Sequence, residues 1–275
     1  MKRLLIGGLA ALHLAAAAAP AQTKITIKGS DTMVILAQRW AEHYMRERKD
    51  VVIQVTGGGS GTGISALING TTDICNASRP MKESEREKLK EKSGSRGVEI
   101  KCAVDALSVY VHEKNPVREL SLDQIRDVYL GIITNWKQLG GADKKIVLYS
   151  RENNSGTYVY FKDEVLGGKD FAPYAQHLPG TSAVVNAVSK DPWGIGYGGA
   201  AYGKGIREVK VKKEPASAAF APTLPNVRAG DYPISRFLYM YTRTRPTGPM
   251  KEFIDWVLGD DGQKVVNEVG YFPLR

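Results

Sequence analysis

The sequence is poor in the residues that build metal centres. Its 275 residues hold four histidines and two cysteines, and past the first apolar stretch the histidines are His43, His112 and His177, none near another. No spacing among them resembles a zinc or iron motif, so neither a metal nor a cofactor is expected. Apolar runs are scarce too: after residue 21 none is long enough to span a bilayer. Basic clusters interleaved with aromatics are also missing. The formal charge is +9, yet Lys and Arg are mixed with acids, as in KESEREKLKEK, which reads as a solvated helix face. Nucleic acid is therefore not expected as a partner. A basic chain of this kind is left with anionic lipid or a small anionic solute.

The one long apolar run is at the start. MKRLLIGGLAALHLAAAAAPAQ has a positive head in Lys2 and Arg3, an apolar stretch from Leu4 to Ala19, and small residues at Ala19 and Ala21. This is the pattern of an export signal, with cleavage expected after Ala21. A retained anchor is the competing reading, disfavoured because the run is short and rich in weakly hydrophobic Ala. No cysteine follows it to carry a lipid. Lys2 and Arg3 leave with the signal, so the exported chain keeps +7 of its +9 charges. Cys75 and Cys102 both survive removal, and export permits a disulfide. Two buried thiols fit their strand-like surroundings equally well.

Strand and helix patterns alternate along the remainder. KITIKG, VVIQVTG, TTDICNAS and EIKCAVDALSVYVH read as strands, separated by helices in MVILAQRWAEHYMRE, GISALING and SEREKLKEK. From residue 120 the rhythm restarts with a helix in SLDQIRDVYLG, the strand KIVLYSR, a helix from Thr157 to about Leu166, and the strand WGIGYGG. KKEPASAAFAPTLPN reads as loop. The apolar strand YPISRFLYMYTR then precedes one helix over GPMKEFIDWVLGDDGQKVVNEVG. This order indicates an α/β protein with a parallel-rich sheet covered on both faces. Two separate βα series followed by a late strand favour two lobes over one doubly wound domain.

Three loops share one chemistry. GSDTM (29–33), GGGSGTG (57–63) and SRENNSGTY (150–158) each follow a strand and precede a helix. Unpaired amides and the helix dipole favour an anion at such a point, and Ser and Thr hydroxyls donate further hydrogen bonds. Capping of the helix is the simpler role for any one loop; three loops, with Arg151 in one of them, point to a ligand. Arg151 offers planar donors matched to an oxyanion. Arg79, in NASRP after the third strand, is a second candidate cation at the sheet edge where open α/β sheets bind ligands.

Enzymatic readings fail on particular residues. Gly58 to Ser65 follows G-x-x-x-x-G-K-[ST] except that Ile64 replaces the lysine that would bind β- and γ-phosphates. Ser60 and Ser155 miss G-x-S-x-G, since Thr62 and Thr157 stand in for the last glycine. The loops are built to hold an anion rather than to cleave it, and no catalytic residue is assigned. A secreted phosphatase-like enzyme using Ser60 or Ser155 is the competing class.

The pieces GSDTM, GGGSGTG, D-I-x-N-A-S-R, LGIITNWKQLGG, SRENNSGTYVYF, P-W-G-I-G-Y and YPISRFLYMYT, in that order, resemble the periplasmic phosphate-binding proteins of ABC phosphate transporters. The resemblance covers the chain beyond the signal, and Arg151 to Thr157 carries its most specific part. It implies a two-lobed type II periplasmic-binding-protein fold, each lobe a mainly parallel sheet flanked by helices. Lobe I would span 22–106 and 232–275, and lobe II 107–231. The implied role is a monomeric periplasmic receptor that closes on inorganic phosphate and delivers it to an ABC permease. By matching loops, Ser30, Asp31, Thr32, Ser60 and Arg79 would bind from one lobe, and Arg151, Ser155, Gly156 and Thr157 from the other. One departure stands out. Many family members carry an aspartate where Arg79 stands, accepting a hydrogen bond from the protonated anion. A site of donors alone would welcome sulfate as readily, so Asp31 is expected to take over as acceptor. A receptor for another oxyanion (sulfate, molybdate or tungstate) is the competing binding role.

Overall fold

The computed structural model describes residues 22–275, and the expected signal peptide lies outside them. The chain opens with β1 (Thr23–Gly29), α1 (Val34–Glu47), β2 (Val51–Thr56), α2 (Ser60–Ile68), β3 (Ile74–Ala77), α3 (Glu83–Ser93) and β4 (Val98–Val111). It continues through β5 (Glu119–Ser121), α4 (Leu122–Tyr129), β6 (Val147–Arg151), α5 (Gly156–Glu164), β7 (Gln176–Leu178), α6 (Gly180–Lys190) and β8 (Gly194–Gly199). It ends with β9 (Arg207–Lys212), β10 (Ala219–Phe220), α7 (Leu224–Arg228), β11 (Ser235–Thr242), α8 (Gly248–Leu258) and α9 (Asp260–Val269). Among the described residues no helix is long and apolar enough to cross a membrane.

The strands form one curled sheet whose main path is β2-β1-β3-β11-β4-β8-β6-β7, with β9 branching from β4 and carrying β5 and β10. Each half has a parallel set, β1 with β2 and β3 in one and β6 with β7 and β8 in the other, and in the second half β9 runs antiparallel to β10 and to β4. The halves are joined by two long strands that run antiparallel, β4 and β11. Up to Ala106 β4 pairs with β11, and from Leu107 it pairs with β8. The same strand therefore belongs to both halves, and the switch falls between two neighbouring residues.

Each half has its own core. Ile25 and Ile27 alternate inward along β1, as a strand with one face on a helix must, and meet Leu36, Trp40 and Tyr44 on one stripe of α1. Trp40 Nε1 donates to the Gly262 carbonyl at 2.8 Å, tying α1 to α9. In the other half Val109, Leu148, Phe161, Ile195 and Tyr197 form the centre. Phe161 stacks on Tyr197 with ring centroids 3.9 Å apart.

Two expectations change. The single helix expected over GPMKEFIDWVLGDDGQKVVNEVG is two, α8 and α9, broken at Gly259, whose extended backbone (φ −77°, ψ 178°) starts a new helix at Asp260. Aspartates at 260 and 261 favour a helix N-terminus there, and no periodicity argument sees a break that keeps the apolar phase. The Pro-rich stretch holds β10 and α7 rather than loop alone. The question of Cys75 and Cys102 is also closed: both are free and fully buried. β11 lies between their strands, which separates them by roughly two strand spacings of about 4.8 Å, beyond disulfide reach. Burial raises both thiol pKa values well above the usual range.

α2 lies close on β1 because Gly63 has no side chain. A Cβ there would sit 2.5 Å from Gly29 Cα and 2.6 Å from the Lys28 carbonyl oxygen. Gly63→Ala therefore forces α2 off the sheet, and the expected loss is about 1–3 kcal/mol of stability. Urea unfolding should show a lower midpoint at unchanged slope.

Candidate functional site

The starts of α2 and α5, and the 3-10 turn Asp31–Met33 that leads into α1, meet where the two halves face each other. The meeting is recorded in hydrogen bonds. Thr32 Oγ1 lies 2.8 Å from Thr157 Oγ1. Gly61 N–H donates to the Asn154 carbonyl at 2.9 Å, and Asn154 Nδ2 donates to the Gly58 carbonyl at 3.1 Å. Arg151 Nη2 donates to Asp31 Oδ2 at 2.8 Å. The cleft is closed.

Its floor on the first half is a chain of hydroxyls. Ser30 Oγ donates to Ser78 Oγ at 3.0 Å, Ser78 N–H donates to Ser60 Oγ at 3.0 Å, and the hydroxyls of Ser60 and Ser78 are 3.3 Å apart. All three residues are buried. Gly156 opposes them from the start of α5, where any Cβ would collide with the hydroxyls of Ser60 and Ser78. Ser155 caps α5, its Oγ accepting from Thr157 N–H at 3.2 Å and from Tyr158 N–H at 3.4 Å. Its hydroxyl is thus a helix cap, and the helix start it fixes is what faces the cleft.

Arg151 is 1% exposed. Nη1 donates to Thr181 Oγ1 at 2.8 Å at the beginning of α6, Nη2 holds Asp31, and Nε has no partner among the described residues. Burial lowers the guanidinium pKa and the Asp31 carboxylate opposes that fall, as expected for a desolvated cation beside an anion. Asp31 also accepts Gly58 N–H at Oδ1, 2.7 Å, while the Tyr202 hydroxyl donates to its carbonyl at 2.8 Å. Both carboxylate oxygens are thus engaged by protein donors, each with one lone pair to spare.

Arg79 makes no described hydrogen bond to this group, and its Nε is buried and unpaired among the described residues. It is buried, and its fork clasps Glu85: Nη1 to Oε2 at 2.8 Å and Nη2 to Oε1 at 2.7 Å, with Nη1 also on the Pro80 carbonyl. Glu85 lies six residues on, at the first turn of α3, and accepts Lys82 N–H as well. Burial raises the Glu85 pKa, but the bonds from Arg79 and Lys82 outweigh it and hold the carboxyl below its usual range.

Sequence reasoning missed Ser78, Thr181 and Arg236. Ser78 immediately precedes Arg79, inside a motif already singled out, and only the larger neighbour drew attention. Thr181 is the second residue of α6, in a strand-to-helix turn like the three named loops. Arg236 was hidden in an apolar strand. It is 7% exposed, donates through Nε and Nη2 to Asp105 Oδ2 at 3.1 and 2.9 Å, and reaches Thr157 Oγ1 through Nη2 at 2.8 Å.

What the arrangement can do is surround a small anion with amides, hydroxyls and guanidinium edges and keep water out. Among the described residues no group of three or more His, Cys, Asp or Glu could hold a metal ion.

A family model described as PBP superfamily domain matches residues 14–261. The phosphate-binding protein PstS of Pseudomonas aeruginosa is 36% identical over 263 residues, which cover 90% of this chain and 81% of that protein. The PstS of Bacillus subtilis is 33% identical over 261 residues, covering 92% and 82%. Among solved structures, a Clostridium perfringens protein with bound phosphate, assigned as a phosphate ABC transporter substrate-binding protein, superposes with a TM-score of 0.84 at 30% identity, covering 92% of this chain and all of that one. An ABC-type phosphate transport receptor from Vibrio cholerae gives 0.72 at 30% identity, covering 90% and 99%. By sequence and by its two-lobed fold, this chain belongs to the PstS family of phosphate-binding proteins within the PBP superfamily.

Proposed function

We propose that the protein is an exported receptor that closes on inorganic phosphate and delivers it to the membrane permease of an ABC transporter, doing no chemistry on the ion. One observation carries the reading. Helix starts from both halves converge on a water-excluded point beside Arg151, a buried guanidinium whose Nε is unpaired. Nothing there resembles an activated nucleophile: the Ser60 hydroxyl accepts from an amide, the Ser155 hydroxyl caps a helix, and no described hydrogen bond links either to a histidine. The relatives named for phosphate binding, and the Clostridium perfringens structure holding phosphate, support the choice of anion.

In this reading lobe I is 22–106 with 232–275 and lobe II is 107–231, in keeping with the pairing switch of β4. The ligand is held by Ser30, Thr32 and Ser60 with Asp31 from lobe I, and by Arg151, Gly156 and Thr157 from lobe II, Ser155 fixing the helix start. Arg79 lends its charge to Glu85 and stays outside the shell. The receptor works as a monomer after signal cleavage near Ala21, in the periplasm.

Isothermal calorimetry with inorganic phosphate is the direct test: the exported form should bind one ion per chain, and absence of binding would sink the receptor reading. Arg151→Lys should weaken binding by roughly 10- to 100-fold, because hydrogen bonds to a charged partner contribute about 1.5–3 kcal/mol and lysine lacks the fork. Asp31 is the carboxylate proposed to accept a hydrogen bond from the protonated oxygen of hydrogen phosphate through a spare lone pair. Asp31→Asn weakens every anion by loosening Arg151, so the readout is a ratio: preference for phosphate over sulfate should fall about tenfold or more. An unchanged ratio removes Asp31 from the acceptor role.

Arg79 and Glu85 give the opposite signature. Glu85→Gln should cost about 1–3 kcal/mol near neutrality and leave phosphate affinity within about twofold. The Glu85 pKa lies below its ordinary 4.5 in the folded chain, so its contribution is full above that value and is lost as pH falls below it. Melting curves of wild type and Glu85→Gln should differ at pH 7 and converge in acid.

A further inference from the structure

Arg236 and Asp105 face each other directly on β11 and β4, in the rung next to the one where β4 leaves β11 for β8. They form a buried ion pair on the two strands that join the halves, with side chains 3% and 0% exposed. Replacing such a pair by apolar residues is often neutral or stabilising, so stability alone is a weak account of its presence at the crossover. The geometry of the guanidinium supplies another. Asp105 Oδ2 occupies the edge made by Nε and Nη2. The second proton of Nη2 goes to Thr157 Oγ1, so the edge made by Nη1 and Nη2 faces the start of α5. Nη1 on that edge is buried and unpaired among the described residues. Thr157 Oγ1 in turn is 2.8 Å from Thr32 Oγ1, inside the closed cleft. The ring of Tyr160, one turn further along α5, lies under the guanidinium at 5.1 Å, and its hydroxyl donates to the Ser235 carbonyl at 2.8 Å.

Resting on the phosphate reading, we infer that Arg236 is a second guanidinium ligand of the bound anion, held on target by Asp105, so that the strands linking the lobes touch the ligand themselves. Arg151 approaches from the end of β6 and Arg236 from the crossover. Asp105 is a positioning residue: it fixes one edge of the fork and leaves the other to Thr157 and the anion. Contact with the ligand then draws together α5 of one half and the joining strands, the movement that closing requires.

The test is calorimetry with inorganic phosphate on the exported protein, Arg236→Lys, Asp105→Asn and the double variant, with melting temperatures recorded without phosphate. If the wild type itself fails to bind, the receptor reading falls. If it binds, Arg236→Lys should weaken phosphate roughly 10- to 100-fold and Asp105→Asn by less. The double variant should bind no worse than Arg236→Lys, because Asp105 acts through the fork that lysine lacks. Binding by folded Arg236→Lys within twofold of wild type overturns the inference, as do affinity losses that add in the double variant or track melting temperature alone. Wild-type crystals grown with phosphate give a reading independent of any variant: an anion oxygen within about 3.2 Å of Arg236 Nη1 supports it, and Nη1 turned away from the anion overturns it.

Discussion

The closed cleft depends on a cation that cannot be left alone. Arg151 is buried at the edge of β6, and a guanidinium out of water must be paired or it drives the chain to rearrange. Its partner, Asp31, sits on the other half of the molecule. The same carboxylate accepts the amide of Gly58, so one anionic group fixes the turn before α2 and the position of the opposite lobe. Thr181 takes the remaining Nη of Arg151 and adds the start of α6 to the arrangement. The contact between the lobes and the geometry of the turn before α2 thus share one carboxylate.

Glycine makes that closeness possible at two points that can be named. Gly59, directly before α2, has φ +89°, and a Cβ there would lie 2.7 Å from the Asn154 carbonyl oxygen across the cleft. Gly156 brings the first turn of α5 against the hydroxyls of Ser60 and Ser78 with no side chain between. A helix start stabilises an anion only within its first turn, so the distance recovered by omitting a side chain decides whether two helices can solvate the same ion.

Much of this was legible in the sequence, because strand-to-helix loops announce themselves. GSDTM, GGGSGTG and SRENNSGTY each marked a turn that the fold brings to the cleft. What was not legible lies in long-range pairing. Arg79 stands out as a cation at the sheet edge, but no local pattern shows that Glu85, placed one capping turn away by α3, takes both its Nη atoms. Arg236 sits in the apolar run YPISRFLYMYTR and gave no local sign; its meaning comes from Asp105, 131 residues away in sequence. Short β5, β7 and β10 were missed for a related reason, since three residues or fewer have no period to detect.

The nature of the donors bears on what the cleft prefers. Main-chain amides and guanidinium edges only donate, whereas hydroxyls both donate and accept and turn to suit. The floor is three hydroxyls in series, Ser30, Ser78 and Ser60, with Ser78 bonded to both neighbours. Turning one of them to accept a hydrogen bond from a protonated anion reverses a bond further along, and Ser60 Oγ is already committed to the amide of Ser78. A carboxylate has no such coupling: Asp31 keeps a spare lone pair on each oxygen while holding Arg151 and Gly58. Accepting a hydrogen bond there disturbs no chain of hydroxyls, which makes Asp31 the less costly acceptor of the two kinds for the proposed ligand.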